Sequence, residues 1–124
     1  MILIDTSVWV DHLRVGNPTL VHFLEAGTVL THPFIVGEIA LGNLRQRVAV
    51  LSALSDLPGA RVATDAEVLH FIDGCRLFGH GIGYVDAHVL AAVQLTPGAG
   101  LWTYDKHLHR AAQRLGMSLP ATAG

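Results

Sequence analysis

Short apolar runs alternate with helix-forming stretches along this 124-residue chain, and that alternation leaves few architectures open. Ile2-Leu3-Ile4, Val29–Thr31, Arg61–Ala63 and Leu101–Thr103 read as strands, with Ser118-Leu119 as a shorter one. Helices are expected over Thr6–Arg14, Pro18–Ala26, Pro33–Leu44, Gln46–Leu54, Thr64–Phe78, Val85–Leu95 and Lys106–Leu115. Their punctuation is explicit: Pro18 and Pro33 open first turns, Thr64-Asp-Ala-Glu67 is a capping box, and Gly27 and Gly116 close helices. Strands separated by helices pair in parallel, and a parallel sheet is covered on both faces. The expected fold is therefore α/β with three layers, α/β/α, around a central parallel sheet of four to five short strands. The length suits one domain, residues 1–124.

Composition narrows the function. The chain is 51% hydrophobic and only 15% charged, against about 25% charged in a typical soluble domain. That is more apolar surface than a small interior hides, and the surplus points to a partner interface. A net charge of −2 excludes a protein that holds nucleic acid by bulk positive charge. Seven of the eight basic residues are Arg, which favours specific phosphate contacts. The single cysteine, Cys75, permits no internal disulfide and fits a reduced compartment. Asp5 interrupts the first apolar run too early for a signal peptide, and no stretch of about 18 apolar residues is present for a membrane span. A cytoplasmic location is expected.

Only ten residues are acidic, so their positions carry information. Asp5 ends the first strand and Asp105 follows the strand Leu101–Thr103. Residues just past the carboxyl ends of parallel strands line the crevice where α/β proteins bind ligands. Glu38 lies in Phe34-Ile-Val-Gly-Glu38-Ile-Ala-Leu-Gly, a helix apolar nearly all round, and is expected to be largely buried. Asp86 falls in the first turn of the helix after the Gly79–Gly83 loop. Each acid has a plain alternative: Asp5 and Asp105 as helix caps, Asp86 as a partner of the helix dipole, Glu38 paired with a distant Arg. Four carboxylates in one pocket would repel one another unless a cation joined them, and oxygen-only ligands select Mg²⁺ or Mn²⁺.

The segments around these acids resemble a known family. Asp5-Thr-Ser-Val-Trp-Val-Asp-His-Leu-Arg14 is similar to the opening of VapC-type PIN domains, the toxin ribonucleases of bacterial toxin–antitoxin pairs. Pro33-Phe-Ile-Val-Gly-Glu38-Ile-Ala-Leu-Gly, Val85-Asp86-Ala-His-Val-Leu-Ala-Ala92 and Leu101-Trp-Thr-Tyr-Asp105-Lys-His-Leu108 resemble the second, third and fourth acidic motifs, in order and across essentially the whole chain. Leu108 stands where the family often has Phe. The resemblance implies a PIN-like fold and a metal-dependent endoribonuclease. Asp5, Glu38, Asp86 and Asp105 would be its catalytic acids and would hold one or two Mg²⁺ or Mn²⁺ ions, activating water for attack on an RNA phosphodiester. Thr6 and Ser7 are expected first as helix caps. Together with Thr103 they are also candidates to orient a ligand carboxylate or a water. The implied partners are RNA, a small antitoxin that covers apolar surface and inserts a basic residue near the acids, and a second copy in a homodimer.

Other features are less directive. The eight histidines, His12, His22, His32, His70, His80, His88, His107 and His109, are scattered without a His-Glu-x-x-His motif, so no zinc site is expected and most should lie on the surface or at an interface. Asp11 reads as solvated. Arg14, Arg45 and Arg47 are surface residues or contacts for RNA or an acidic partner. Trp9 and Trp102 read as packing residues, whereas Tyr84 and Tyr104 adjoin acidic positions and are candidates for base stacking. A receiver domain needs a second acid beside Asp5, where Thr6 stands, and a haloacid-dehalogenase phosphatase needs Asp-x-Asp, where Ser7 stands. A catalytically inactive PIN-like binding module is the remaining alternative, and the presence of all four acids disfavours it.

Overall fold

The computed structural model describes residues 1–119, so the last five positions of the expected 1–124 domain lie outside the described residues. Three short strands, β1 (Ile2–Ile4), β2 (Val29–Leu30) and β3 (Gly100–Trp102), form a parallel sheet in the order β2-β1-β3. Ile2 pairs with Val29 on one side and Gly100 on the other, and Ile4 pairs with Trp102. One-residue bridges extend both edges, Gly59 beside Thr31 and Ser118 beside Leu101. The expected four to five strands thus resolve into three strands and two single bridges.

Arg61–Ala63 is not a strand, because its expected partners bond elsewhere. Thr31 exchanges its bonds with Pro58 and Ala60, accepting from the Ala60 amide at 2.8 Å, so pairing occurs earlier in the sequence than expected. The Arg61 amide then donates to the Thr96 hydroxyl at 2.9 Å instead of to a strand.

Seven helices complete the described residues: α1 (Thr6–Val15), α2 (Pro18–Glu25), α3 (Pro33–Ala40), α4 (Arg47–Asp56), α5 (Asp65–Gly74), α6 (Tyr84–Leu95) and α7 (Lys106–Arg114). Their ends follow from side chains that satisfy otherwise orphaned backbone groups. Asp5, Asn17, His32, Thr64 and Asp105 each accept a hydrogen bond from the first turn of the helix that follows. The Thr64–Glu67 capping box is complete, with Glu67 accepting from the Thr64 amide and the Thr64 hydroxyl from the Glu67 amide. Gly16 ends α1 at φ 80°, a left-handed conformation that few side chains tolerate, and its amide caps the His12 carbonyl.

Helix α6 forms the interior wall. Seven consecutive residues, Ala87 to Val93, are buried, which is how a helix apolar on every face must lie. Val89, Leu90, Ala92 and Val93 share one core with Leu3, Ile4, Val8, Leu20, Ile35, Leu101 and Leu108, while Ala87 and Ala91 pack with Ala63 and Val68 in a smaller cluster.

The topology fixes where a site can form. From β1 the chain crosses to β2 on one side, whereas from β3 it crosses outward to Ser118 on the other. Right-handed crossovers in opposite directions put the following helices on opposite faces of the sheet. The adjacent strands β1 and β3 therefore part at their carboxyl ends, and a crevice opens beside Asp5 and Thr103.

Candidate active site

Asp5 leaves β1 as the cap of α1 and is buried, with only 7% of its surface exposed. A carboxylate at that depth needs donors, and it has three, all on Oδ2: the Ser7 hydroxyl at 2.7 Å, the Thr103 hydroxyl at 2.7 Å and the Ser7 amide at 3.4 Å. Among the described residues Oδ1 receives no hydrogen bond, which leaves it free for a ligand. The expected caps are thus corrected: Asp5 itself caps α1, while Thr6 and Ser7 direct their hydroxyls to carboxylates.

Thr103 is the hub of the β3 side. Its buried hydroxyl donates to Asp5 and accepts from the Asp105 amide at 3.0 Å, joining the ends of the two strands through one oxygen. The Ser7 hydroxyl accepts from the Tyr104 amide at 3.0 Å and so repeats the tie. Asp105 caps α7 through Oδ1, which accepts from the Leu108 amide at 2.9 Å. Its side chain is otherwise exposed, and among the described residues Oδ2 accepts no hydrogen bond.

Glu38 departs from expectation. It is exposed rather than buried, because α3 turns only Ile35 and Ile39 fully inward and presents Phe34, Gly37 and Glu38 to solvent. Its Oε1 accepts from the Thr6 hydroxyl at 2.6 Å. Thr6 and Asp5 are consecutive, so this bond draws the α3 carboxylate to the mouth of the crevice. No Arg or Lys pairs with Glu38 among the described residues.

Asp86 stands in the first turn of α6, with Oδ2 accepting from the Gly83 amide at 3.0 Å. Burial raises its affinity for a proton, and the negative charges of Asp5, Asp105 and Glu38 raise it further, against the opposing Gly83 bond. The four acids from four places in the sequence therefore share one electrostatic environment. Among the described residues no three His, Cys, Asp or Glu side chains already stand as a ready-made ligand cage. The donor set nevertheless has the right chemistry for a hard divalent ion: carboxylate oxygens only, at least one held and one left free, with repulsion that a cation would relieve.

Three residues near the site were not legible as contributors. Asn17, buried at the α1–α2 turn, donates to the Tyr104 hydroxyl at 2.8 Å and caps α2 through its Oδ1. That clamp holds the residue between Thr103 and Asp105. The Asn-Pro pair at a helix start signalled the cap but not the tertiary bond. His32 and His88 are buried, at 1% and 2% exposure, against the expected surface placement. His32 Nδ1 caps α3. Desolvation, and then the nearby His88, lower its affinity for a proton.

The chain matches the PIN domain model over residues 2–114. It is also 44% identical over 119 residues, 96% of either chain, to a protein called Ribonuclease VapC32 in Mycobacterium tuberculosis strain CDC 1551 / Oshkosh, and equally to the one of that name in strain ATCC 25618 / H37Rv. The acidic crevice at the β1–β3 parting, the parallel sheet that creates it and a likeness that runs nearly end to end agree, and the chain belongs to the PIN domain family.

Proposed function

We propose that this chain is a metal-dependent endoribonuclease acting as the toxin of a toxin–antitoxin pair, and that residues 1–124 work as one domain. The observation that carries the reading is the meeting of Asp5, Glu38, Asp86 and Asp105 at one crevice, where the charges of the other three add to burial in raising the proton affinity of Asp86. The likeness to the VapC32 ribonucleases supports the substrate class. Mg²⁺ or Mn²⁺ held by these four acids would supply water activation and neutralise phosphoryl charge. The protein's own groups do the positioning. Ser7 and Thr103 fix Asp5 through Oδ2 alone, Thr6 fixes Glu38, and the Thr103 hydroxyl sets the start of the Asp105 loop.

The partner reading rests on exposed apolar surface. Val10 and Leu13 on α1 line a groove of about 580 Å³ with Ile39, Leu44 and Val50, and Glu38 stands in its wall. A small antitoxin covering this groove would bring a basic residue to Glu38 and silence the site. A homodimer and a cytoplasmic location complete the proposal. No helix among the described residues is long and apolar enough to cross a membrane.

The test is cleavage of single-stranded RNA by the purified chain. Mg²⁺ or Mn²⁺ should support it, chelator and Asp86→Asn should abolish it, and Ca²⁺, with its larger and looser coordination, should support it poorly. Undiminished cleavage in excess chelator would overturn the mechanism.

A further inference from the structure

An aromatic patch borders the acids and plays no part in holding them. Phe34 and Tyr84 are 38% and 49% exposed, although both are large aromatic residues on helices that otherwise bury their apolar faces. Both lean on one buried imidazole. The His88 ring centroid is 4.6 Å from Phe34 and 4.7 Å from Tyr84, with Tyr84 standing at 90° to it. His32 supports Phe34 from behind at 5.3 Å. The Tyr84 hydroxyl donates to Asp65 Oδ1 at 3.2 Å, a second point of attachment for that ring.

These rings are thus held in place while keeping surface open to solvent, the property a stacking platform requires. Their location is equally telling. Phe34 lies one helical turn before Glu38 on α3, and residues four apart are neighbours on a helix face. Tyr84 and His88 are likewise four apart on α6, the helix whose first turn carries Asp86, so the Tyr84 ring joins the patch through His88. A strand whose phosphate reaches the acids would carry its neighbouring bases past this patch. Tyr104, the other exposed tyrosine beside an acid, packs edge-on against Trp102 and has no ring contact with this cluster among the described residues.

We infer that Phe34 and Tyr84, seated on His88, form a stacking site for an unpaired nucleobase of the RNA next to the bond that is cut. The inference rests on the ribonuclease reading and adds a subsite to it. Every base has a π-face, so the site is sequence-tolerant: it selects unpaired RNA over duplex rather than one base over another.

The experiment compares binding of two fluorescent oligomers of equal length by the full chain with Asp86→Asn, which removes cleavage. One is a mixed-sequence single-stranded RNA and the other the same ribose-phosphate backbone without bases. The Asp86→Asn protein should prefer the base-bearing oligomer by about tenfold or more, the scale of a single lost stack. Adding Phe34→Ala or Tyr84→Ala should remove most of that preference and leave backbone affinity alone. Tyr84→Phe, which keeps the ring, should retain it. Equal loss on both oligomers would show a structural role and overturn the inference, as would an unchanged preference, the result expected if the patch receives the antitoxin instead. Failure of the native chain to cleave the base-bearing oligomer with Mg²⁺ or Mn²⁺ would overturn the ribonuclease reading itself, independently of the stacking site. Thermal unfolding of each variant confirms that the comparison is between folded proteins.

Discussion

Thr103→Val removes one buried hydroxyl and keeps the side chain's shape, so its effect isolates the bridge between the strand ends. In the native protein that oxygen donates to the Asp5 carboxylate at 2.7 Å and accepts from the Asp105 amide at 3.0 Å. A hydrogen bond to a charged group contributes about 1.5–3 kcal/mol, and leaving a partly buried amide without its acceptor costs about 1–3 kcal/mol more. Asp5 keeps its two Ser7 donors, and the Asp105 amide lies near solvent, so both contributions belong at the low end of their ranges. The expected loss is about 2–4 kcal/mol in urea unfolding without metal. Thr103→Ser, which restores the oxygen, should recover most of it. The same variant should weaken divalent-ion binding by about 10–100-fold, the usual effect of losing a group that orients a ligand. A loss under about 0.5 kcal/mol, within the range of an ordinary surface substitution, would show that Asp5 is held without Thr103 and refute the bridge.

Two further predictions follow from the same geometry. Asp86 has its proton affinity raised above the ordinary value of 3.8, so in metal-free protein its charge opposes folding at neutral pH. As pH falls through the raised folded value, the native state takes up a proton that the unfolded state does not. Stability from this group should therefore rise on acidification until the unfolded chain also protonates near 3.8; Asp86→Asn should lose that acid-side gain in a pH series of urea midpoints. Asn17→Ala deletes the α2 cap and the Tyr104 bond together. It should destabilise by about 1–3 kcal/mol, and an unchanged urea midpoint would contradict the clamp.

Asp5 and Asp105 were legible because each follows a short apolar run, and a parallel sheet places such positions at one crevice. Asp86 and the Thr64 capping box were legible from local helix-start chemistry. The exposure of Glu38 was not. In Phe34-Ile-Val-Gly-Glu38-Ile-Ala nearly every position is apolar, so helical periodicity does not say which face turns inward, and only the packing of Ile35 and Ile39 decides it. The burial of His32 and His88 was hidden for a similar reason, since a titratable ring in a mixed sequence gives no sign of the aromatic shell that encloses it. The supposed strand at Arg61–Ala63 failed because a single hydroxyl, Thr96, captured the Arg61 amide from across the fold. Long-range hydrogen bonds of that kind have no local signature.

The central claim is that four carboxylates form one metal site. Thermal unfolding with and without Mn²⁺, for the native chain and for Asp5→Asn, Glu38→Gln, Asp86→Asn and Asp105→Asn, tests it most directly. Metal that binds only the folded site at a hundredfold excess over Kd stabilises by about 2.7 kcal/mol, roughly 10 °C for a domain of this size. The native chain should show that shift and each amide variant should lose most of it, while Glu38→Gln, which is exposed and unpaired with any cation, should unfold at the native temperature without metal. A native chain indifferent to saturating Mn²⁺, or variants that keep the full shift, would contradict the shared site.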